Sequence, residues 1–203
     1  MPLADRLRPA DLSQVCGQDH ILGEGKLLRR IADSGEIPNL IFYGPSGTGK
    51  TTVARILAQR AGKTLCKLNG TSASTADIKE VIAQTEGLGG ENGVLLYLDE
   101  IQYLTKKQQQ TLLEFIEDGR VTLIASTTEN PYFYVYNAVL SRSTVFEFKP
   151  LKPEDVERSL QNAIAKLEEE DGAPVETEDG VIPQIARNCS GDARKAINAL
   201  EIC

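Results

Sequence analysis

A short apolar run, a glycine-rich loop and a helix-patterned segment follow one another early in this chain, and that succession constrains the fold more than any other feature. Asn39-Leu-Ile-Phe-Tyr43 reads as a buried strand, and Thr51 to Arg60 places Val53, Ile56 and Leu57 at helical spacing. Between them lies Gly44-Pro45-Ser46-Gly47-Thr48-Gly49-Lys50-Thr51. Its glycines let the loop wrap with N–H groups pointing inward, and the start of the helix adds partial positive charge where phosphate oxygens would lie. Lys50 would reach the terminal phosphates, the Thr51 hydroxyl would take Mg²⁺, and Thr52 continues the cradle into the helix. Nucleotide binding is the first hypothesis, with a connecting loop that binds nothing as the alternative.

The rest of the chain supports a folded α/β protein. Its 203 residues with 41% hydrophobic content suffice for one sizeable domain with a smaller appendage. Strand candidates recur near Leu40 to Tyr43, Thr64 to Leu68, Val94 to Leu98, Val121 to Ser126 and Val145 to Phe148. Helical spacing lies between most of them, as at Thr75 to Thr85 and Lys106 to Ile116, so the expectation is a parallel sheet wrapped by helices. At Lys149-Pro-Leu-Lys-Pro153 the pattern changes. Three helical stretches follow, near Pro153 to Glu169, Glu178 to Cys189 and Asp192 to Cys203, with no strand among them. The expected domains are therefore an α/β nucleotide-binding unit over residues 1–150 and a small all-helical unit over 151–203. The chain stops at Cys203 within or at the end of a helix, which suggests a truncated protein.

Composition narrows the chemistry. His20 is the only histidine, so triad chemistry and histidine-rich metal sites are excluded, and catalysis would rest on carboxylates, basic groups and a metal. Cys16, Cys66, Cys189 and Cys203 are scattered without a C-x-x-C pair and read as reduced thiols. No apolar run reaches membrane-spanning length and no apolar leader is present, so a cytoplasmic protein with no membrane partner is the expectation. A net charge of −7 argues neither for DNA nor decisively against it.

Two further segments point at the same edge of the expected sheet. Val94-Leu-Leu-Tyr-Leu98 runs into Asp99-Glu100, so Asp99 would hold Mg²⁺ through its water shell and Glu100 would orient or deprotonate an attacking water. Val121-Thr-Leu-Ile-Ala-Ser126 empties into Thr127-Thr128-Glu129-Asn130-Pro131, where a hydroxyl could orient that water. Seen alone, the second segment is an ordinary turn before a proline.

Taken in order, Gly44 to Thr51, Asp99-Glu100, the Thr-Thr-Glu-Asn-Pro turn, Leu140-Ser141-Arg142 and Ser190-Gly191-Asp192-Ala193-Arg194 resemble the motifs of AAA+ ATPases, a branch of the P-loop NTPases. Within that superfamily, Leu3-Ala-Asp-Arg-Leu-Arg-Pro9, Gly17-Gln-Asp-His-Ile-Leu-Gly23 and the pair Ile116-Glu-Asp-Gly119 with Thr127 to Pro131 are similar to the replication-associated recombination protein A family, related to the Werner-helicase-interacting ATPase. The resemblance implies that residues 151–203 form a lid and that a C-terminal oligomerisation region follows. It also implies ATP and Mg²⁺ as cofactors, hydrolysis of ATP, and work on DNA in fork maintenance, recombination and repair. Single-stranded, gapped or end-containing DNA, a homo-oligomer and replication proteins are the implied partners, with a nucleoid association if the protein is bacterial.

The resemblance assigns roles that spacing cannot. Thr128 matches the first sensor, Arg142 the arginine finger donated to a neighbouring subunit, and Arg194 the second sensor on the lid. Asn69 resembles the polar residue that restrains the catalytic glutamate. Val15-Cys16-Gly17 would lie against adenine, with the Cys16 backbone as the contact. The sequence departs from the family wording at Ser46, where a second proline is common, and at Gln102-Tyr103-Leu104, where a His-Arg-Phe type sequence is common. A sliding-clamp-loader subunit is the alternative function, with a Holliday-junction branch-migration motor further off. A nucleotide-dependent oligomeric scaffold with little hydrolysis represents a different class, against which Glu100 counts.

Overall fold

The computed structural model describes residues 3–83, 93–119 and 121–202. Five parallel strands, β1 (Leu40–Tyr43), β2 (Thr64–Asn69), β3 (Val94–Asp99), β4 (Val121–Thr127) and β5 (Thr144–Glu147), form one sheet in the order β2-β3-β4-β1-β5. Each lies within a residue or two of its expected place. Before β1 come α1 (Leu3–Arg6), α2 (Asp19–Leu22) and α3 (Leu27–Ser34), for which the sequence pattern gave no expectation. Then α4 (Lys50–Arg60) follows the glycine loop, α5 (Thr75–Ala83) precedes β3 and α6 (Lys106–Glu117) precedes β4. The expected extension of α5 to Thr85 lies outside the described residues. Two single-turn helices, α7 (Pro131–Tyr134) and α8 (Asn137–Leu140), lead into β5.

Alternation along each strand sorts side chains onto two faces of the sheet. Leu40 and Phe42 of β1, Leu95 and Tyr97 of β3 and Ile124 of β4 pack with Val53, Ile56 and Leu57 of α4. Ile41, Leu96, Leu98, Leu123 and Ala125 face the other way, onto Leu112 and Ile116 of α6 and Val139 of α8. Phe42 is fully buried and its ring lies 4.9 Å from that of Phe148 and 6.3 Å from that of Phe146, so β1 is locked to the β5 side of the sheet. Burying one such side chain contributes about 1.5–3 kcal/mol. A capping box, Thr105 with Gln108, opens α6 and fixes where β3 hands the chain back to helix.

Beyond β5 the chain is helical: α9 (Pro153–Asp171), α10 (Val181–Asn188) and α11 (Ala193–Ile202). Pro153 occupies the first turn of α9, where its missing N–H costs nothing, and Gly172 in the left-handed region ends it. Val156, Leu160, Ala163, Ala186, Ala196 and Ile197 form a separate core. Leu3, Ala4 and Leu7 also enter that core, so the first helix of the chain packs with the last three. Cys203 lies outside the described residues. No helix among the described residues is long and apolar enough to cross a membrane.

Candidate active site

The loop after β1 is held by close approaches, one to backbone and one to a side chain, that favour glycine. Gly44 has φ +141, and a methyl group there would overlap the Phe148 carbonyl oxygen. Gly47 has φ +68, and its added methyl would overlap the Asp192 carboxylate at the start of α11. Lys50 turns back into the loop, donating to the carbonyls of Gly44 at 2.6 Å and Pro45 at 2.7 Å. Thr48 Oγ1 donates to the same Pro45 oxygen at 2.8 Å. Only 8% of Lys50 is exposed, and this burial pushes its ammonium below the usual lysine range, against the opposing pull of Glu100 and Asp99. A buried cation facing carbonyl oxygens beside a helix N-terminus is suited to take a polyanion in their place.

At the end of β3, four oxygen-bearing side chains form a connected group. Thr51 Oγ1 lies 2.9 Å from the Tyr97 hydroxyl, which lies 3.0 Å from Ser126 Oγ. Ser126 donates to Asp99 Oδ1 at 2.5 Å, and the Tyr97 hydroxyl is also 3.4 Å from that oxygen. Burial, reinforced by the Asp99 charge, pushes the Tyr97 phenol up to about 12. Among the described residues no group of three or more His, Cys, Asp or Glu could hold a metal. Thr51 and Asp99 thus offer one hydroxyl and one carboxylate, leaving other positions to water and phosphate, a donor set that fits Mg²⁺.

Glu100 adopts φ +55, a left-handed conformation uncommon outside glycine. Gln102 Nε2 donates to Glu100 Oε2 at 2.5 Å, and Thr128 Oγ1 lies 3.4 Å from the same oxygen. Asn69 pairs with Asp99 in the sheet, one residue before Glu100, but its side-chain oxygen is turned to its own loop. That oxygen accepts from Thr71 N at 2.9 Å and Thr71 Oγ1 at 2.7 Å, closing its own turn. The side chain hydrogen-bonded to Glu100 is thus that of Gln102. Its Oε1 is buried without a hydrogen-bond partner.

The pocket over this floor is lined by Ser46 to Thr52, Asp99 and Glu100, together with Val15, Cys16, Ala193 and Arg194. Ala193 N donates to the Gly47 carbonyl at 3.0 Å, and Leu151 N to that of Gly191 at 3.2 Å, so α11 is attached to the loop through backbone. Cys16 lies at the lining with its thiol pushed up by burial. Gly17, with φ +71, faces Leu151 and Asp155 rather than the pocket. Gln18, buried, donates to the Lys149 carbonyl at 2.8 Å and accepts from Lys149 N at 3.0 Å, tying this segment to the end of β5. His20 is structural: its Nε2 lies 2.8 Å from the Glu147 carbonyl.

Arg142 is not brought to this pocket. It makes a 2.5 Å ion pair with Glu117 and donates to the Ala138 carbonyl at 3.0 Å. Reading by motif missed Tyr97, Ser126, Gln102 and Asp192, and also Arg8, which lines the pocket and pairs with Asp5. Strand alternation marks Tyr97 and Ser126 as facing α4, but nothing in the linear sequence pairs them.

Residues 40–151 match the family described as ATPase family associated with various cellular activities (AAA). Over 99% of its length the chain is 38% identical to Replication-associated recombination protein A of Haemophilus influenzae, covering 46% of that protein. It is 35% identical over 99% of its length to ATPase WRNIP1 of Dictyostelium discoideum, covering 23% of it. The chain thus spans about half the length of the bacterial relative. Among solved structures, the Thermotoga maritima RuvB Holliday junction branch migration motor superposes with a TM-score of 0.77 at 24% identity, over 96% of this chain and 64% of that one. This last likeness is one of fold.

Proposed function

The chain belongs to the AAA ATPase family, and from that premise we propose that it is the ATPase core and lid of an oligomeric, Mg²⁺-dependent enzyme acting on DNA during replication, recombination and repair. The observation that carries the reading is the meeting of Lys50, Thr51, Asp99, Glu100 and Arg194 around one pocket. Residues 1–150 would bind nucleotide and 151–203 would close over it, with α1 as a strap onto the lid. The names of the relatives support the DNA and recombination assignment and, with it, a cytoplasmic setting.

In this reading the loop N–H groups and the start of α4 cradle the phosphates, and Lys50 exchanges its two carbonyl acceptors for phosphate oxygens. Thr51 and Asp99 would hold Mg²⁺, which neutralises charge developing on the β- and γ-phosphate oxygens. Glu100 accepts a proton from water as the water oxygen bonds to the γ-phosphorus in line. The bond to the bridging oxygen breaks, leaving ADP and phosphate. Thr128 positions that water, Gln102 orients Glu100, and Arg194 brings the lid's charge to the γ-phosphate. Arg142 lies outside this pocket and would serve a neighbouring subunit's site, a contribution of about 10³ to 10⁵ in rate, or roughly 4–7 kcal/mol.

The test is the ATPase rate of the full-length protein with single-stranded, gapped and duplex-ended DNA, with Glu100→Gln as the control. The expected result is turnover stimulated by at least one of these DNAs and abolished in Glu100→Gln, with ATP affinity retained. A rate indifferent to all three would refute the DNA assignment, and unchanged turnover in Glu100→Gln would refute the assigned base.

A further inference from the structure

Tyr97 is 1% exposed and sits in the middle of β3, on the face packed by α4, yet its hydroxyl lies among three polar side chains from three different elements. A phenol buried this deeply must have its hydrogen bonds satisfied within the protein. The direction of those bonds follows from counting protons. Asp99, as a carboxylate, only accepts, so Ser126 donates to it over 2.5 Å. Ser126 has a single proton, so over 3.0 Å it must accept from Tyr97. Tyr97 has then spent its own proton, and over 2.9 Å it must accept from Thr51. Diversion of the Tyr97 proton to Asp99 at 3.4 Å leaves the last conclusion unchanged.

We propose that Tyr97 and Ser126 form a one-way hydroxyl relay from Thr51 to Asp99, which positions the two candidate Mg²⁺ ligands as one unit. With its proton directed into the core, Thr51 Oγ1 keeps its lone pairs for a cation. Coordination would draw electron density from that oxygen and strengthen its donation to Tyr97, so metal binding and the relay reinforce each other. The anchor is built into the sheet: Tyr97 comes from β3 and Ser126 from the adjacent β4, and both are buried. Tyr97 is a positioning residue, since it acts on the metal through Thr51 and Ser126.

The inference rests on the nucleotide reading of the site, and the test separates the two. Binding of a fluorescent adenine nucleotide to the full-length protein is measured in EDTA and across a Mg²⁺ titration, for the native protein, Tyr97→Phe and Ser126→Ala. Thermal melts confirm that each variant folds. Tyr97→Phe removes one oxygen from a ring of the same shape and is expected to raise the Mg²⁺ concentration for half-maximal binding about 10-fold or more, with metal-free affinity unchanged within about 2-fold. Ser126→Ala is expected to shift it in the same direction. In a Thr51→Ala background Tyr97→Phe should add nothing. An unshifted Mg²⁺ requirement in Tyr97→Phe overturns the relay, as does an equal loss of affinity with and without Mg²⁺, which would make Tyr97 a core residue only. Failure of the native protein to bind nucleotide at all would overturn the reading of the site and the relay with it.

Discussion

Replacing Gly47 by alanine tests the attachment of the C-terminal helical unit to the glycine loop. Gly47 has φ +68, where an alanine costs about 1–2 kcal/mol relative to glycine. Its methyl group would also overlap the Asp192 carboxylate, which must then leave its place. Asp192 Oδ1 accepts from Lys195 N at 2.9 Å and so caps α11, an interaction worth about 1 kcal/mol. The sum is about 2–3 kcal/mol, or roughly 5–10 °C in Tm for a chain of this size. Asp192→Ala alone should cost about 1 kcal/mol through the lost cap. In that background Gly47→Ala should cost only the backbone component, giving a coupling of about 1 kcal/mol between the two sites. Thermal and urea unfolding of the four proteins, followed by circular dichroism, measures this. Additive effects would refute the contact between Asp192 and the loop, and with it the packing of the loop and the helical unit as one body on this side of the pocket.

Two further perturbations address the candidate finger and the acid limb of stability. Arg142→Ala should lose ATPase activity in the assembled protein by about 10³-fold or more, and mixing with a subunit whose ATP site is dead but whose finger is intact should restore it; no restoration would refute a role between subunits. The Ser13 N–H and the Arg60 guanidinium hold the Asp11 carboxyl well below the usual carboxylate range. Because the folded state depresses this group, its contribution is present above the unfolded value near 4 and is lost as the pH falls through the folded one. Urea unfolding between pH 2 and 7 should therefore show a shallower acid-side loss in Asp11→Asn than in the native protein, and parallel slopes would refute the assignment.

The candidate site residues were readable wherever their placement depends on neighbours in the chain. A strand that ends in Gly44 to Thr51, or in Asp99-Glu100, carries its chemistry at a fixed offset from an apolar run, so hydrophobic pattern and spacing located both. Arg194, in the first turn of α11, was pointed to only by the resemblance, through the Ser190 to Arg194 motif. The resemblance gives Asn69 as the polar residue that restrains Glu100, and the structure adds Gln102 as a side chain hydrogen-bonded to it. Both are polar residues close to strand ends. The deciding facts are that Asn69 closes a local turn with Thr71 and that Glu100 has a left-handed backbone, with Gln102 alongside.

The sequence by itself determined the local units: five strands, the glycine loop with its helix, the acids on β3 and the change to helix after Pro153. These follow from contacts between residues close in the chain, where periodicity and turn chemistry act. The tertiary structure decided what meets across elements. With the order β2-β3-β4-β1-β5, β4 lies between β1 and β3, which brings Ser126 beside Tyr97 and closes the path from Thr51 to Asp99. Likewise the first helix joins the last core, and Asp192 is set against Gly47. Such pairings depend on which strand neighbours which and on how the helical unit docks. No local propensity encodes them, because the sheet order is settled by burial of the whole core at once.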